Sequence, residues 1–378
     1  LTLASVMLLG MMVIGTSAAV AYPDVDKDNN VEAIEVLQAV KVMQGDDKGN
    51  FDPDRSVSRN EMAIVMAKLL NLDYNYYKDT CPFWDVPDYA KPYVAACYAN
   101  GIVSGYNATT FGGADTVTAV QAASMMMRAL GYFQYQSDYE DNFVLSTVKQ
   151  ASKIRLFDGI NANQDSPLTR DQVARLALNA LESGMVDPDD DTLSVTLPDG
   201  SQISKGKVNY VYRSSTQKFA NTINTTETNA STLTGVNGSV VELGEQLYNG
   251  DLKRTATTDD FGAPSVRWTY KNSEVGNYAD EADYVFEGIV KSSAMYSAVG
   301  KTVAEDYDWT VKMDGATEAN AKKYIASDMK FFTRKDVEDN DKDDLDGTDR
   351  GTTTYVYLND SKDTATVCIV NTYAAEIS

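Results

Sequence analysis

Apolar residues recur along the first half of the chain at helical spacing. Val31, Ile34, Leu37, Val40 and Met43 fall on one stripe, and Met62, Val65, Met66 and Leu69 on a second. Two more follow: Ala122, Met125, Met126, Ala129 and Leu130, then Val173, Leu176, Ala177, Ala180 and Leu181. Residues three and four apart share a helix face, so each stripe predicts an amphipathic helix. Polar stretches with glycine, such as GDDKGNFDPDRS, predict the loops between them. FWDVPDYAKPYVAACYANGIVSG and FVLSTVKQASKIRLFDGI supply leading helices for a second and a third unit. One helix–loop–helix grammar thus occurs three times between Tyr22 and about Val186. Repetition at this period marks an architecture in which each unit buries its apolar face against its neighbours.

After MVDPDDDT the pattern changes. TLSVTLP, KVNYVYRS, SVRWTY, TTTYVYL and TATVCIV alternate in polarity and predict strands separated by Gly, Asn and Asp turns. ATEANAKKYIASDM predicts a helix among them, and the acidic run DVEDNDKDDLDGTDRG a loop. At the other end, LTLASVMLLGMMVIGTSAAVAYPDV is an apolar run closing on Ala19-Val20-Ala21. Small residues at that spacing predict the cleavage site of a secretory signal peptide. The run is also long enough to compete as a membrane anchor, since about 20 apolar residues span a bilayer; the cleavage pattern favours export. The absence of an initiator Met and a basic n-region predicts a truncated leader. The last strand, with no closing turn, predicts a chain that continues past Ser378.

Each second helix opens on Ser or Thr followed three residues later by Glu or Gln: Ser58 with Glu61, Thr118 with Gln121, Thr169 with Gln172. That is a capping box. Capping leaves Arg59 and Arg170 unexplained, because a cation near a helix N-terminus opposes the macrodipole. With the free N–H groups of the helix end, these arginines predict a small anion site, and a guanidinium can hold a carboxylate through two parallel bonds. The middle unit has Ala119 at this position.

These features resemble S-layer homology (SLH) domains. The resemblance rests on the openings Tyr22-Pro-Asp-Val and Phe83-Trp-Asp-Val, the stretch Gly101 to Tyr106, the turn Gly49-Asn-Phe-Asp-Pro, and the helix starts Ser58-Arg-Asn-Glu and Thr169-Arg-Asp-Gln. It covers roughly Tyr22 to Val186. It implies an all-α pseudo-trimer of three helix–loop–helix prongs around a central helical bundle. It also implies non-covalent binding, in grooves between prongs, of a secondary cell-wall polysaccharide or peptidoglycan-linked polymer bearing pyruvate ketals. By position it assigns ligand binding to Arg59 and Arg170, to Asp24 and Asp85 of the opening motif, and to Gly45, Gly105 and Gly159 at the loop entrance. Ala119 then marks a groove that has lost its anion contact, and Phe111-Gly112-Gly113 lacks the proline of the turn. The third opening, around Asp141, aligns loosely.

The expected organisation is a truncated signal peptide at 1–21, SLH repeats at 22–75, 76–135 and 136–186, and a β-rich, Ig-like or mixed region at 187–378. Composition narrows the chemistry. The chain has 378 residues, a formal net charge of −22 and no histidine. The charge argues against nucleic acid or an anionic membrane surface as partner. The missing histidines exclude the usual neutral-pH general base and the commonest zinc ligand. Carboxylate pairs for glycan hydrolysis have many candidates and no distinguished pair, so no catalytic residue, metal site or cofactor is expected. Asp24, Asp26, Asp28 and Glu35 have the spacing of a calcium loop, but Asn29 replaces its glycine. Cys81 and Cys97 are either a disulfide or two thiols. Phe83, Trp84, Tyr98 and Tyr106 are either core or sugar-stacking residues. The expected function is to anchor an exported surface protein to the cell wall, with self-association in a surface layer as a further role. The alternative is a wall-anchored glycan-processing enzyme whose catalytic domain lies beyond this sequence.

Overall fold

The computed structural model describes residues 22–139, 142–189, 195–196, 198, 202–203, 208–215, 222–223, 239–317, 331–359 and 363–372. The predicted leader, Asp141, most of TLSVTLP and most of ATEANAKKYIASDM lie outside these residues. Of the described residues, those within Ala18–Arg254 and Trp268–Val275 form one compact unit. Those within Thr255–Arg267 and Gly276–Ser378 form another.

The first unit is built on six helices: α1 (Val31–Ala39), α2 (Arg59–Leu69), α3 (Lys91–Ala99), α4 (Ala119–Ala129), α5 (Phe143–Lys153) and α6 (Arg170–Leu181). Ser58, Thr118 and Thr169 cap α2, α4 and α6 as the sequence predicts, each accepting from the third helical amide while Glu61, Gln121 or Gln172 reaches back. α1, α3 and α5 end alike. Lys41, Gly101 and Arg155 take positive φ, and the next amides, of Val42, Ile102 and Leu156, bond back to Leu37, Cys97 and Ala151. This is the Schellman stop, in which a left-handed residue satisfies the last carbonyls. It ends α1 at Ala39, so Val40 and Met43 are buried from the turn beyond the helix.

Packing joins each leading helix to the capped helix of another unit: α3 lies against α2, α5 against α4, and α1 against α6. The segments before the three capped helices meet as well. Val57 N–H donates to Leu168 O at 2.9 Å, Leu168 N–H to Val117 O at 3.0 Å, and Val117 N–H to Val57 O at 2.9 Å. Three bridges, Ser56 with Thr169, Ser58 with Thr116 and Thr118 with Pro167, frame this closed ring. Val57, Val117 and Leu168 are buried at its centre. Beyond α6, Val186–Pro188 pairs antiparallel with Tyr210–Tyr212, and α7 (Leu243–Tyr248) packs on α6. Trp268, fully buried, donates from its indole to Glu32 Oε1 of α1 at 2.7 Å.

Strands Leu252–Thr258, Pro264–Tyr270 and Ser273–Ala279 follow one another in a three-stranded sheet. The second unit holds a five-stranded sheet in the order Tyr284–Glu287, Thr352–Leu358, Thr364–Asn371, Asp308–Met313, Ala316–Thr317. Neighbours are antiparallel except Asp308–Met313 and Thr364–Asn371, which run parallel. Alternation decides the buried face: Ala365, Val367 and Ile369 point into a core with Met295 and Val303 of α8 (Ser292–Asp306). The region is therefore mixed helix and strand. The acidic run is not loop throughout, because Arg334–Glu338 is a short helix whose start is boxed by Thr333 and Asp336 and which buries Val337.

Candidate functional site

The two arginines occupy matching places. α2 begins at Arg59 and leans on the loop that follows α3. Arg59 Nε donates to Phe111 O at 3.2 Å and one terminal nitrogen donates to Ser104 O at 2.9 Å. α6 begins at Arg170 and leans on the loop that follows α1, with Nε donating to Phe51 O at 2.6 Å and a terminal nitrogen to Gln44 O at 2.9 Å. Each guanidinium lies over a phenylalanine ring, Phe111 at 4.7 Å and Phe51 at 4.6 Å. Two of the five N–H donors of each arginine thus hold the neighbouring loop, and three are left for other partners. Burial pulls both guanidinium pKa values below the ordinary value; Tyr106, Asp115 and Asp85 oppose this at Arg59, while at Arg170 Arg55 adds to it and Glu61, Asp52 and Tyr22 oppose it.

The helix-end amides are not free, contrary to expectation. Arg59 and Asn60 donate their backbone N–H groups to Asp115 O and Gly113 O, both at 2.9 Å. Arg170 and Asp171 donate theirs to Arg55 O and Pro53 O, and Ala119 and Val120 to Ser166 O and Gln164 O. The third amide of each helix goes to its Ser or Thr cap. Assembly of the segments therefore consumes the donors that an isolated helix would offer an anion, and any anion contact rests on the arginine side chains. These amide bonds join residues far apart in sequence, so no local pattern announced them.

Asp24 and Asp85 organise the loops the arginines touch. Asp24 accepts from Phe51 N–H at 2.9 Å and Asp52 N–H at 2.7 Å; Asp85 accepts from Phe111 N–H and Gly112 N–H, both at 2.8 Å. Burial acts to raise the Asp85 pKa but is outweighed by those amides and by Arg59, which hold it below the usual carboxylate range. Gly45 and Gly105 have a steric role. A Cβ at Gly45 would lie 2.4 Å from the Tyr22 ring, and one at Gly105 2.4 Å from the Phe83 ring. Gly159 meets no such ring and takes φ +73. Gly113, which stands where Pro53 stands in the first turn, packs closely on Asn60: a Cβ there would lie 2.1 Å from Asn60 Oδ1.

Phe83 is core at 2% exposure, while Trp84, Tyr106 and Tyr98 stand 76%, 57% and 45% exposed. The exposed three present faces on which a sugar ring could stack. Ala119 is buried and brings no charge to its loop. The calcium-like spacing does not assemble: Asp24 is engaged as above, Asp26 Oδ1 accepts from Asp28 N–H, and among the described residues no group of three or more His, Cys, Asp or Glu could hold a metal ion. Cys81, Cys97 and Cys368 are free thiols, and burial pushes Cys97 up to about 12. No helix among the described residues is long and apolar enough to cross a membrane.

Comparison with known proteins bears on this site. The family model for the S-layer homology domain matches residues 21–63 and 82–118, which include Arg59, both Asp24 and Asp85, and the loops described above. The Surface-layer 125 kDa protein of Lysinibacillus sphaericus is 28% identical over 225 residues, covering 53% of this chain and 19% of that protein. The S-layer protein sap of Bacillus anthracis is 30% identical over 131 residues, covering 34% and 16%. An endoglucanase of Bacillus sp. (strain KSM-635) is 28% identical over 176 residues, covering 42% and 18%. The chain spans less than a fifth of the length of each of these relatives. It is a cell-surface protein carrying an S-layer homology domain.

Proposed function

We propose that this chain anchors an exported protein to the cell wall by holding a secondary wall polysaccharide in the clefts beside Arg59 and Arg170. The observation that carries the reading is the matched placement of the two guanidiniums, each laid over a phenylalanine at the seam between two segments. A cation held in a partly desolvated seam suits a fixed carboxylate such as a pyruvate ketal, because charge-assisted, two-pronged bonds are strongest there. Residues 136–186 act as a third repeat, and the three form a pseudo-trimer. The closed ring of Val57, Val117 and Leu168 supports this arrangement. Asp24, Asp85, Gly45, Gly105 and Gly159 serve the clefts by shaping their loops. The remaining residues are held at the surface, where S-layer-like self-association is a further role.

The test is co-sedimentation of the full chain with purified sacculi before and after the secondary polymer is stripped. Pelleting that disappears with the polymer, and falls in the Arg59→Ala/Arg170→Ala double variant, is expected. A chain that stays in the supernatant with intact sacculi overturns the reading. The endoglucanase similarity favours one second reading, a wall-anchored glycan-processing enzyme whose catalytic part lies outside this sequence. Hydrolysis of a glycan panel by the whole gene product separates the two.

A further inference from the structure

The two arginine clefts are built alike and charged differently. Arg170 N–H bonds to Arg55 O, and Arg59 N–H bonds to Asp115 O, so Arg55 and Asp115 occupy the same place in their respective clefts. In the first cleft that place is cationic. Arg55 acts on Arg170 as a like charge, countered there by Glu61 and Asp52, and it is tied to Glu61 at 2.8 Å with 47% of its side chain exposed. In the second cleft the place is anionic, and Asp115 Oδ2 accepts from Tyr106 OH at 3.0 Å. The Tyr106 ring lies 4.9 Å from the Arg59 guanidinium and the Phe111 ring 4.7 Å from it. Arg59 is only 5% exposed between these rings, whereas Arg170 has the single ring of Phe51 and is half-buried. Asp46 follows Gly45 where Tyr106 follows Gly105, so the first cleft has no such cover.

We infer that Tyr106 and Asp115 form a latch over Arg59, so that the Arg170–Arg55 cleft is the working carboxylate site while the Arg59 cleft stays closed to anions. This inference rests on the wall-polymer reading above and narrows it from two clefts to the one beside Arg170. A carboxylate approaching Arg59 must displace the tyrosine ring and then compete with a resident aspartate at close range, where like charges repel. A carboxylate approaching Arg170 meets a second cation, Arg55, already paired with Glu61, and no ring in the place of Tyr106. Tyr106 and Asp115 are therefore specificity-determining residues. They act through the access and charge of a cleft that is otherwise equipped like its neighbour.

The experiment is a binding isotherm of the full chain on purified sacculi, comparing wild type with Arg170→Lys, Asp115→Asn, Tyr106→Ala, and Asp115→Asn combined with Arg59→Lys. Lysine keeps the charge but loses the two-pronged geometry, so Arg170→Lys is expected to weaken binding by about tenfold. Asp115→Asn and Tyr106→Ala leave both arginines in place and are expected to tighten binding at least about threefold by opening the second cleft. The added Arg59→Lys change is expected to remove that gain. Unchanged or weaker binding in both latch variants overturns the latch, as does a gain that survives Arg59→Lys. Wild-type chain that fails to pellet with sacculi overturns the anchoring reading itself. A chain that pellets normally but ignores the latch variants overturns the latch alone.

Discussion

Single residues in the first unit do work that their chemistry makes specific. Asp85 spends both carboxylate oxygens on the amides of Phe111 and Gly112, so Asp85→Asn sets an amide NH2 against one backbone donor. A loss of about 1 kcal/mol is expected in a denaturant titration. The sign of the pH effect follows from the same contacts. The folded pKa of Asp85 is lowered, so its contribution is fully present above the ordinary carboxylate pKa of about 3.9 and is lost as pH falls through the folded value. Thermal midpoints of wild type and Asp85→Asn should therefore converge below about pH 4. Gly105→Ala drives a methyl into the Phe83 ring and two carbonyls and should cost about 2 kcal/mol by the same titration. The need for glycine here was legible as a motif position. The ring it presses on was not, because Phe83 is distant in sequence.

Elements were the most legible scale, because helix signals are local. Apolar stripes and Ser/Thr-x-x-Glu/Gln starts placed α2, α4 and α6 and marked their capped first turns. Each cap should contribute about 1 kcal/mol, so Thr118→Ala is expected to lower stability by that amount in thermal melts. Helix ends were read less well. Lys41 and Arg155 stand in the left-handed conformation that Gly101 fills at the equivalent place, and nothing in either side chain signals it. A side chain pays about 1 kcal/mol there relative to glycine. Lys41→Gly should therefore stabilise and Gly101→Ala destabilise, which paired melts would reveal. The short helix Arg334–Glu338 was missed because a dense acidic run masked a Thr-x-x-Asp start and one buried valine.

At the scale of the molecule, the repeats were visible and their closure was not. Hydrogen bonds from Arg59 to Asp115, Ala119 to Ser166 and Arg170 to Arg55 bind segments into a ring, and such long-range pairing leaves no periodic trace in sequence. Its consequence for the site is large, since it uses up the helix-end amides that the motif seemed to offer. A fragment of residues 22–118, which holds both matched segments, leaves Val57 and Val117 without their third partner and α1 without α6. It should melt without cooperativity by circular dichroism, whereas residues 22–275, which keep Trp268 on α1, should melt cooperatively.

The seating of α1 on α6 also sets a timetable. Asn30, at the start of α1, gives its backbone and side-chain N–H groups to Asp171 at 2.7 and 2.6 Å, so the first helix finds its place only once the sixth has appeared. A chain leaving the ribosome or threading a secretion channel presents its N-terminus first, and contacts this distant in sequence form late. For a chain exported and anchored as proposed above, the early segments would stay unlocked in transit and the anchor would become rigid on the far side, where the wall is.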